Sequence, residues 1–235
     1  MKLYIGSKMH SSWSLRPWIL MTELGVPFEE HLIVLDTPEF EVYRTMARGL
    51  GATGSVPMLV DGDIVVWDTL AIIEYVADTY PDRTIWPQDP AARAHARAIA
   101  AEMHAGFGPL RSTCPMNLGR KFAPRALSDA VAANVLRIEQ LWASARSKFG
   151  APSGGPYLYG AFSGADAMFA PVVTRFDTYA IPVSAETADY MATILSTPAF
   201  VAWREAALDE TAIIEADEID APAAEILRRD GKAWR

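Results

Sequence analysis

Apolar residues follow two different spacings along the first eighty residues. Short apolar runs, typical of strands, alternate with segments in which apolar residues recur every three or four positions, as in amphipathic helices. An Asp-Gly pair at residues 61–62 separates two of the runs and is a strong hairpin signal. We therefore predict strands at residues 2–5, 28–35, 57–60 and 64–67 and helices at about residues 14–24, 38–47 and 68–79. The predicted order is βαβαββα, with the last two strands antiparallel.

Prolines at positions 81, 87 and 90 end this alternation and indicate a linker over residues 80–90. After the linker the strand signals almost vanish, and a Ser-x-x-Asp capping signal begins at Ser163. Helical spacing predicts helices at about residues 91–110, 124–149, from 163 onward, 185–195 and 198–207. The sequence thus predicts an α/β domain over residues 1–79, an all-α domain over residues 91–215 and a surface tail over residues 216–235.

The composition is that of a globular protein, because 51% of the 235 residues are apolar and 21% are charged. The net charge of −8 opposes binding to nucleic acid or to an anionic membrane surface. The single cysteine, Cys114, cannot form an internal disulfide, and four histidines with one thiol leave little for a structural zinc site. The first residues lack the pattern of a secretion signal. We therefore expect a cytoplasmic protein with no metal, no nucleic-acid partner and no membrane span.

A serine-rich run, Ser-Ser-Trp-Ser-Leu-Arg at residues 11–16, stands at the start of the first predicted helix. Backbone N–H groups and the helix dipole favour negative charge at such a position. Serines before helices also act as simple caps, so the run alone does not distinguish an anion site from a structural cap. Two further pairs, Val56-Pro57 and Asp68-Thr69, make the combination specific.

The order of elements and these three motifs together resemble the glutathione transferase family over about residues 2–210. The run at residues 11–16 resembles the Ser-Ser-x-Ser-x-Arg run of serine-type transferases, which include the zeta class of maleylacetoacetate isomerases. The resemblance implies a thioredoxin-like N-terminal domain, an all-helical C-terminal domain, a homodimer, and glutathione as co-substrate with no other cofactor. Trp13 departs from the zeta pattern, where cysteine is usual, and Ser55 stands where many relatives carry lysine.

Such an enzyme has to stabilise a thiolate. A free thiol with a pKa near 8.5 is only about 3% ionised at pH 7, and lowering that pKa by about two units requires about 2.7 kcal/mol. A hydrogen bond to a charged group contributes roughly 1.5–3 kcal/mol, so one hydroxyl at a helix N-terminus suffices. The resemblance makes Ser11 that hydroxyl, with Ser12 as the second candidate.

The resemblance also implies how the rest of glutathione is held. Val56 pairs its backbone with the cysteinyl part of the tripeptide, next to a cis bond at Pro57. Asp68 faces the ammonium of the γ-glutamyl group, and Thr69 receives its α-carboxylate. The glycine carboxylate has three candidate partners, among which the sequence does not choose: Arg48, Arg44 and Lys8.

In the family, the electrophile lies between the loop before the first helix and the first long helix of the second domain. The resemblance therefore implies a pocket formed by His10, Trp13, Met103, Phe107 and Arg111. Core packing explains Met103 and Phe107 equally well, and His10 is either a general base or an exposed loop residue. Arg111 is a charge on an otherwise apolar stripe, which suits an anionic substrate.

The function expected from the sequence is a glutathione transferase that activates the thiol for attack on a small electrophile. Three alternatives stay open. A glutathione-dependent cis-trans isomerase would add the same thiolate reversibly to a dienoic acid, and a glutathione-disulfide reductase would use the bound thiolate in place of a cysteine of its own. A non-catalytic glutathione-binding or adaptor protein would keep the fold without turnover.

Overall fold

The computed structural model describes residues 1–231. Within these residues, β1 (Lys2–Ile5), β2 (Glu29–Leu32), β3 (Met58–Asp61) and β4 (Ile64–Val66) form a mixed sheet in the order β2-β1-β3-β4. β1 is parallel to β2, and β3 is antiparallel to both β1 and β4. The helices between the strands are α1 (Ser12–Glu23), α2 (Pro38–Gly49) and α3 (Thr69–Thr79). The predicted βαβαββα order and its antiparallel hairpin are confirmed.

The rest of the described chain is mostly helical, as the sequence predicts. The helices are α4 (Pro90–Ala105), α5 (Gly108–Thr113), α6 (Asp129–Ala145), α7 (Gly164–Thr178), α8 (Ala185–Ser196) and α9 (Pro198–Leu208). A π-helical turn, Arg146–Gly150, extends α6, and a short 3₁₀ turn covers Glu215–Asp217. Two short strands, β5 (Arg120–Lys121) and β6 (Glu225–Ile226), pair antiparallel to each other.

The helix predicted over residues 91–110 is in fact two helices. Phe107 has a left-handed backbone with φ 58°, which ends α4 and turns the chain into α5. At Gly106 a Cβ would lie 2.7 Å from the carbonyl oxygen of Glu102, so the turn requires glycine. Met103 and Arg111, which the sequence analysis places on one apolar stripe, therefore lie on different helices, α4 and α5.

Two other predicted elements are shorter in the structure. The helix predicted at residues 124–149 begins at Asp129, because the Ser128 side chain accepts a hydrogen bond from the backbone N–H of Val131 at 3.4 Å. The strand predicted at residues 28–35 keeps only the four residues of β2 that pair with β1. Both elements keep their predicted type, and only their ends differ.

Helix α1 is the element on which the two halves of the fold meet. It packs against α3, α7 and α9, and α7 is buried along almost its whole length. One continuous apolar core joins the sheet side of the molecule to the helices after the linker. The loop before α1 is therefore anchored on a rigid, buried helix.

The segment after residue 215 was expected to be a surface tail, and its described part differs from that expectation. The Glu218 side chain is 2% exposed and accepts a hydrogen bond from Arg120, while Arg228 is buried against Gly119. The strand β6 pairs with β5. Because buried charges need partners, this segment is held in place by its ion pairs and its strand and is packed onto the rest of the protein. Residues 232–235 of the predicted tail lie outside the described residues.

Candidate functional site

The loop before α1 opens onto a cavity of about 550 Å³. Ser11, Ser12 and Val56 line it from the N-terminal part of the chain, and Arg111 and Arg175 line it from the helices after the linker. The sequence predicts four of these five residues. The cavity thus joins the predicted thiol-binding residues to the predicted electrophile side.

Ser11 lies where the loop, the sheet and the Val56 segment meet. Its Oγ donates to Ser14 Oγ at 2.8 Å, and Ser14 Oγ also accepts from the backbone N–H of Gly6 at 3.0 Å. A Cβ on Gly6 would lie 3.0 Å from Val56 Cγ2 and 3.2 Å from Ser11 Oγ. Glycine at position 6 therefore allows the Ser11 hydroxyl and the Val56 segment to approach each other.

Ser12 has a different partner. Its Oγ accepts a hydrogen bond from Arg175 Nη2 at 3.2 Å. Arg175 is buried on α7, where its other nitrogens donate to the carbonyl oxygens of Cys114 and Pro171. A hydroxyl that accepts from a guanidinium still has its own proton to donate. Both serines can therefore serve a thiolate, Ser11 after turning away from Ser14 and Ser12 as it stands.

Three arginines surround the start of α1. The guanidinium groups of Arg16 and Arg111 both lie over the Trp13 ring, at 4.2 and 4.7 Å from the ring centroid. Burial, followed by repulsion from the neighbouring arginines, lowers the pKa of Arg16, and burial and Arg111 lower the pKa of Arg175 to about 10. Such crowding of positive charge favours an anion in the cavity.

A second cavity, of about 310 Å³, adjoins the first and shares Trp13 and Val56 with it. The Val56-Pro57 peptide bond is cis, as the resemblance implies. Thr69 is buried at the N-terminus of α3, and its hydroxyl donates to the Trp13 carbonyl at 3.0 Å. Asp68 is 53% exposed, and its Oδ1 lies 3.6 Å from the Nδ1 atom of His104. The residues predicted for the γ-glutamyl end therefore line one continuous site with the serines.

Comparison with known proteins follows the same outline. A family model described as the N-terminal domain of glutathione S-transferases matches residues 10–79. Residues 10–79 are therefore similar to the N-terminal domain of glutathione S-transferases. The chain is 29% identical over 146 residues to a probable maleylacetoacetate isomerase of Caenorhabditis elegans, covering 59% of this chain and 66% of that protein. The chain spans from about half to just under two thirds of the length of this relative and of two further curated relatives.

Solved structures extend the likeness to the helical part. A bacterial maleyl pyruvate isomerase, a zeta-class glutathione S-transferase, superposes with a TM-score of 0.66 at 23% identity, covering 90% of this chain and all of that one. A glutathione transferase homologue from Burkholderia gl BGR1, with glutathione bound, gives a TM-score of 0.62 at 22% identity over 87% and 96% of the two chains. The chain therefore has the glutathione transferase fold over about nine tenths of its length.

Three residues predicted for the transferase site lie elsewhere. Met103 is fully buried and Phe107 is 7% exposed, and both belong to the core instead of the cavity lining. Lys8 pairs with Glu30 at 2.7 Å beside two tryptophan rings and lines neither cavity. The apolar spacing of Met103 and Phe107 did not distinguish a core residue from a ligand contact. The charge of Lys8 likewise did not distinguish an ion pair within the protein from a contact to a ligand.

His10 lines the cavity, but it is buried and not an exposed loop residue. Its Nδ1 lies 3.3 Å from Ser7 Oγ and its Nε2 lies 3.4 Å from Glu218 Oε1. Cys114 is buried as expected, and burial raises the pKa of its thiol. A thiol in that state is a poor nucleophile, so Cys114 does not supply a reactive thiolate.

The arginines at positions 44 and 48 are the remaining candidates for the glycine carboxylate. Arg44 pairs with Glu41 at 2.8 Å, and Arg48 lies along Gly54, where a Cβ would meet its Nε atom at 3.1 Å. Neither is among the residues that line the two cavities. A role for either would require its side chain to turn toward the ligand, and the assignment stays a prediction.

Within residues 1–231, no helix is long and apolar enough to cross a bilayer. In the same part of the chain, no three His, Cys, Asp or Glu side chains are grouped so that they could hold a metal ion. A homodimer and a cytoplasmic location stay predictions.

Proposed function

We propose that this protein is a glutathione transferase that binds glutathione across the two joined cavities and activates its thiol. The observation that carries the proposal is the position of the Ser11 and Ser12 hydroxyls at the N-terminus of α1, in the wall of the larger cavity and next in sequence to Trp13, which lines both cavities. The homologue from Burkholderia gl BGR1, which has a similar fold, holds glutathione. The same site on this chain has the size and the donors for a tripeptide thiol.

The peptide part of glutathione fits the smaller cavity. The Val56 backbone beside the cis bond pairs with the cysteinyl residue, and the backbone N–H of Thr69 at the start of α3 donates to the α-carboxylate. The Thr69 hydroxyl also donates to it after turning away from the Trp13 carbonyl. Asp68 meets the ammonium group, because its carboxylate is exposed at the rim of that cavity. This placement leaves the sulfur at the junction with the larger cavity.

The thiol loses its proton because the anion is stabilised there. Ser11 turns its hydroxyl from Ser14 to the sulfur, and Ser12 offers its own O–H while it accepts from Arg175. The helix N-terminus and the nearby arginines add a favourable field. The thiol proton passes to water. The thiolate then attacks a carbon of an electrophile in the larger cavity and forms a carbon–sulfur bond, while a leaving group departs with the electron pair of the bond it breaks.

Replacing Ser11 by alanine is expected to raise the pKa of bound glutathione by at least about one unit, since the main donor to the thiolate is lost. Ultraviolet titration of the thiolate in the complex measures this pKa. Ser112→Ala is the matched control, because Ser112 lines the same cavity but donates to carbonyl oxygens of its own helix. A pKa unchanged in Ser11→Ala and raised in Ser12→Ala would move the donor by one residue. Failure to bind glutathione would end the proposal, and binding without a shifted pKa would favour a non-catalytic role.

A second candidate function is favoured by the crowded arginines. A cis-trans isomerase acting on a dienoic acid would add the thiolate to a double bond, allow rotation about the resulting single bond, and expel the same thiolate. Arg111 and Arg175 would hold the carboxylates during these steps. The maleylacetoacetate isomerase relative and the fold of the maleyl pyruvate isomerase agree with this reading.

The Arg111→Met variant tests whether the electrophile is anionic. We expect kcat/KM for a cis-enedioic acid to fall about tenfold or more, because a hydrogen bond to a charged group is worth roughly 1.5–3 kcal/mol. The rate with a neutral aryl halide should stay within about twofold. Arg137→Met, a surface arginine paired with Glu102 on another face, is the control. Equal losses for both substrates would count against the isomerase.

A further inference from the structure

The chain after α9 returns to the cavity and forms part of its wall. Asp217, at the end of the 3₁₀ turn, lines the cavity together with Ser12, Arg111 and Arg175. Asp217 is about two hundred residues away from the serine run in the sequence, and no motif of the family resemblance includes it. A carboxylate is therefore present in a cavity whose other charged walls are positive.

The position of Asp217 is fixed by its neighbours in the chain. The backbone N–H of Asp217 donates to the Ile214 carbonyl at 3.0 Å, and Ile214 is buried. On the other side, Glu218 accepts from Arg120 at 2.9 Å and lies 3.4 Å from His10. Both anchors are buried, so the carboxylate between them is held against the cavity.

The charged groups that face Asp217 come from several elements. Arg175 on α7 and His10 in the loop before α1 attract its carboxylate, while Glu218 and Asp36 repel it. Burial raises the pKa of Asp217, and the attraction of His10 and Arg175 opposes that shift. Reciprocally, Asp217 favours the charged form of Arg175. The carboxylate therefore acts as an internal counter-ion to the arginine beside Ser12.

We propose that Asp217 determines which charge the electrophile can carry. The negative charge of Asp217 offsets part of the positive charge of Arg175, so the cavity has a smaller net positive charge. An anionic group of the electrophile therefore has to compete with Asp217 for the Arg175 guanidinium. A neutral group does not meet this competition. This inference rests on the proposed function, since it concerns the electrophile that reacts with bound glutathione.

The test uses two glutathione conjugates that differ at one group. S-(carboxymethyl)glutathione carries a carboxylate beside the sulfur, and S-(carbamoylmethyl)glutathione carries an uncharged amide of nearly the same size. Calorimetric titration at pH 7 gives the affinity of each for the wild type, Asp217→Asn and Glu215→Gln. Glu215 lies in the same turn but is exposed and does not line the cavity, which makes it the matched control.

In Asp217→Asn we expect the preference for the carboxymethyl conjugate over the carbamoylmethyl conjugate to rise about tenfold, equivalent to about 1.4 kcal/mol. Glu215→Gln should leave the preference unchanged. Asp217→Ser, which also removes the charge, has to shift it in the same direction if the asparagine variant does not fold. A preference within about twofold of the wild type in the charge-removed variant overturns the inference alone. Failure of both conjugates to bind the wild type overturns the proposed function instead.

Discussion

Replacing Asp166 by alanine should lower the free energy of unfolding by about 4 kcal/mol, a large part of the stability of a single chain. Asp166 is fully buried in the first turn of α7. Its carboxylate accepts from the N–H and Oγ of Ser163 at 2.9 and 2.8 Å, and from the Leu158 N–H and the Tyr190 hydroxyl at 3.1 Å each. Alanine leaves four donors without an acceptor in a dry site. Urea denaturation of the two proteins measures the difference.

Asp166→Asn is the control for the charge. It keeps an oxygen for Leu158 and Tyr190 but presents N–H groups to Ser163, so we expect about half of the loss. Burial raises the pKa of Asp166 to about 6, and its hydrogen bonds oppose the shift. Protonation of Asp166 thus adds stability that is complete below the unfolded pKa near 4 and is lost as the pH rises through 6, while the hydrogen bonds of the ionised carboxylate remain. The asparagine variant should lack this slope. A loss below about 1 kcal/mol in Asp166→Ala would show that the network is unimportant.

The parts of the fold that were predictable are those with local causes. The alternation of two periodicities and the Asp-Gly turn specify βαβαββα without help from distant residues. The break between α4 and α5 was missed because apolar residues continue at helical spacing through Phe107, although its backbone is left-handed. The spacing of apolar residues indicates which side chains are buried. It does not show that the backbone turns at one of those buried residues and ends the helix.

The candidate site divides in the same way. Ser11, Val56 and Thr69 stand at motif positions beside strand and helix ends, so the sequence could place them together. Arg175 and Asp217 come from α7 and the last described segment, and only the fold brings them to the cavity. For Arg175 a signal existed, since a charge in a helix of otherwise apolar residues needs a buried partner or a ligand. Asp217 gave no such signal, because it stands among other acidic residues in the sequence and does not differ from them in type.

Glu210 is another distant residue, and its removal should have the second largest effect. Its carboxylate accepts from the backbone N–H of Lys8 at 2.7 Å, from that of Met9 at 3.2 Å and from the Ser7 hydroxyl. These bonds fasten the loop that leads into Ser11. In Glu210→Ala we expect the free energy of opening this loop to fall by about 3 kcal/mol, because three partly buried, charge-assisted bonds are lost. Hydrogen exchange at the Lys8 and Met9 amides should then speed up about 100-fold.

The loss should stay local, because Trp203 still donates to the Lys8 carbonyl at 2.8 Å and the apolar core is untouched. Amides in the middle of α7 should therefore keep their protection, while the pKa of bound glutathione rises as Ser11 loses its fixed position. Asp220→Ala, at an exposed acidic residue of the same terminal segment, is the control and should change neither quantity. Equal exchange rates at the Lys8 and Met9 amides in Glu210→Ala and the wild type would mean that the Glu210 hydrogen bonds do not stabilise the loop before α1.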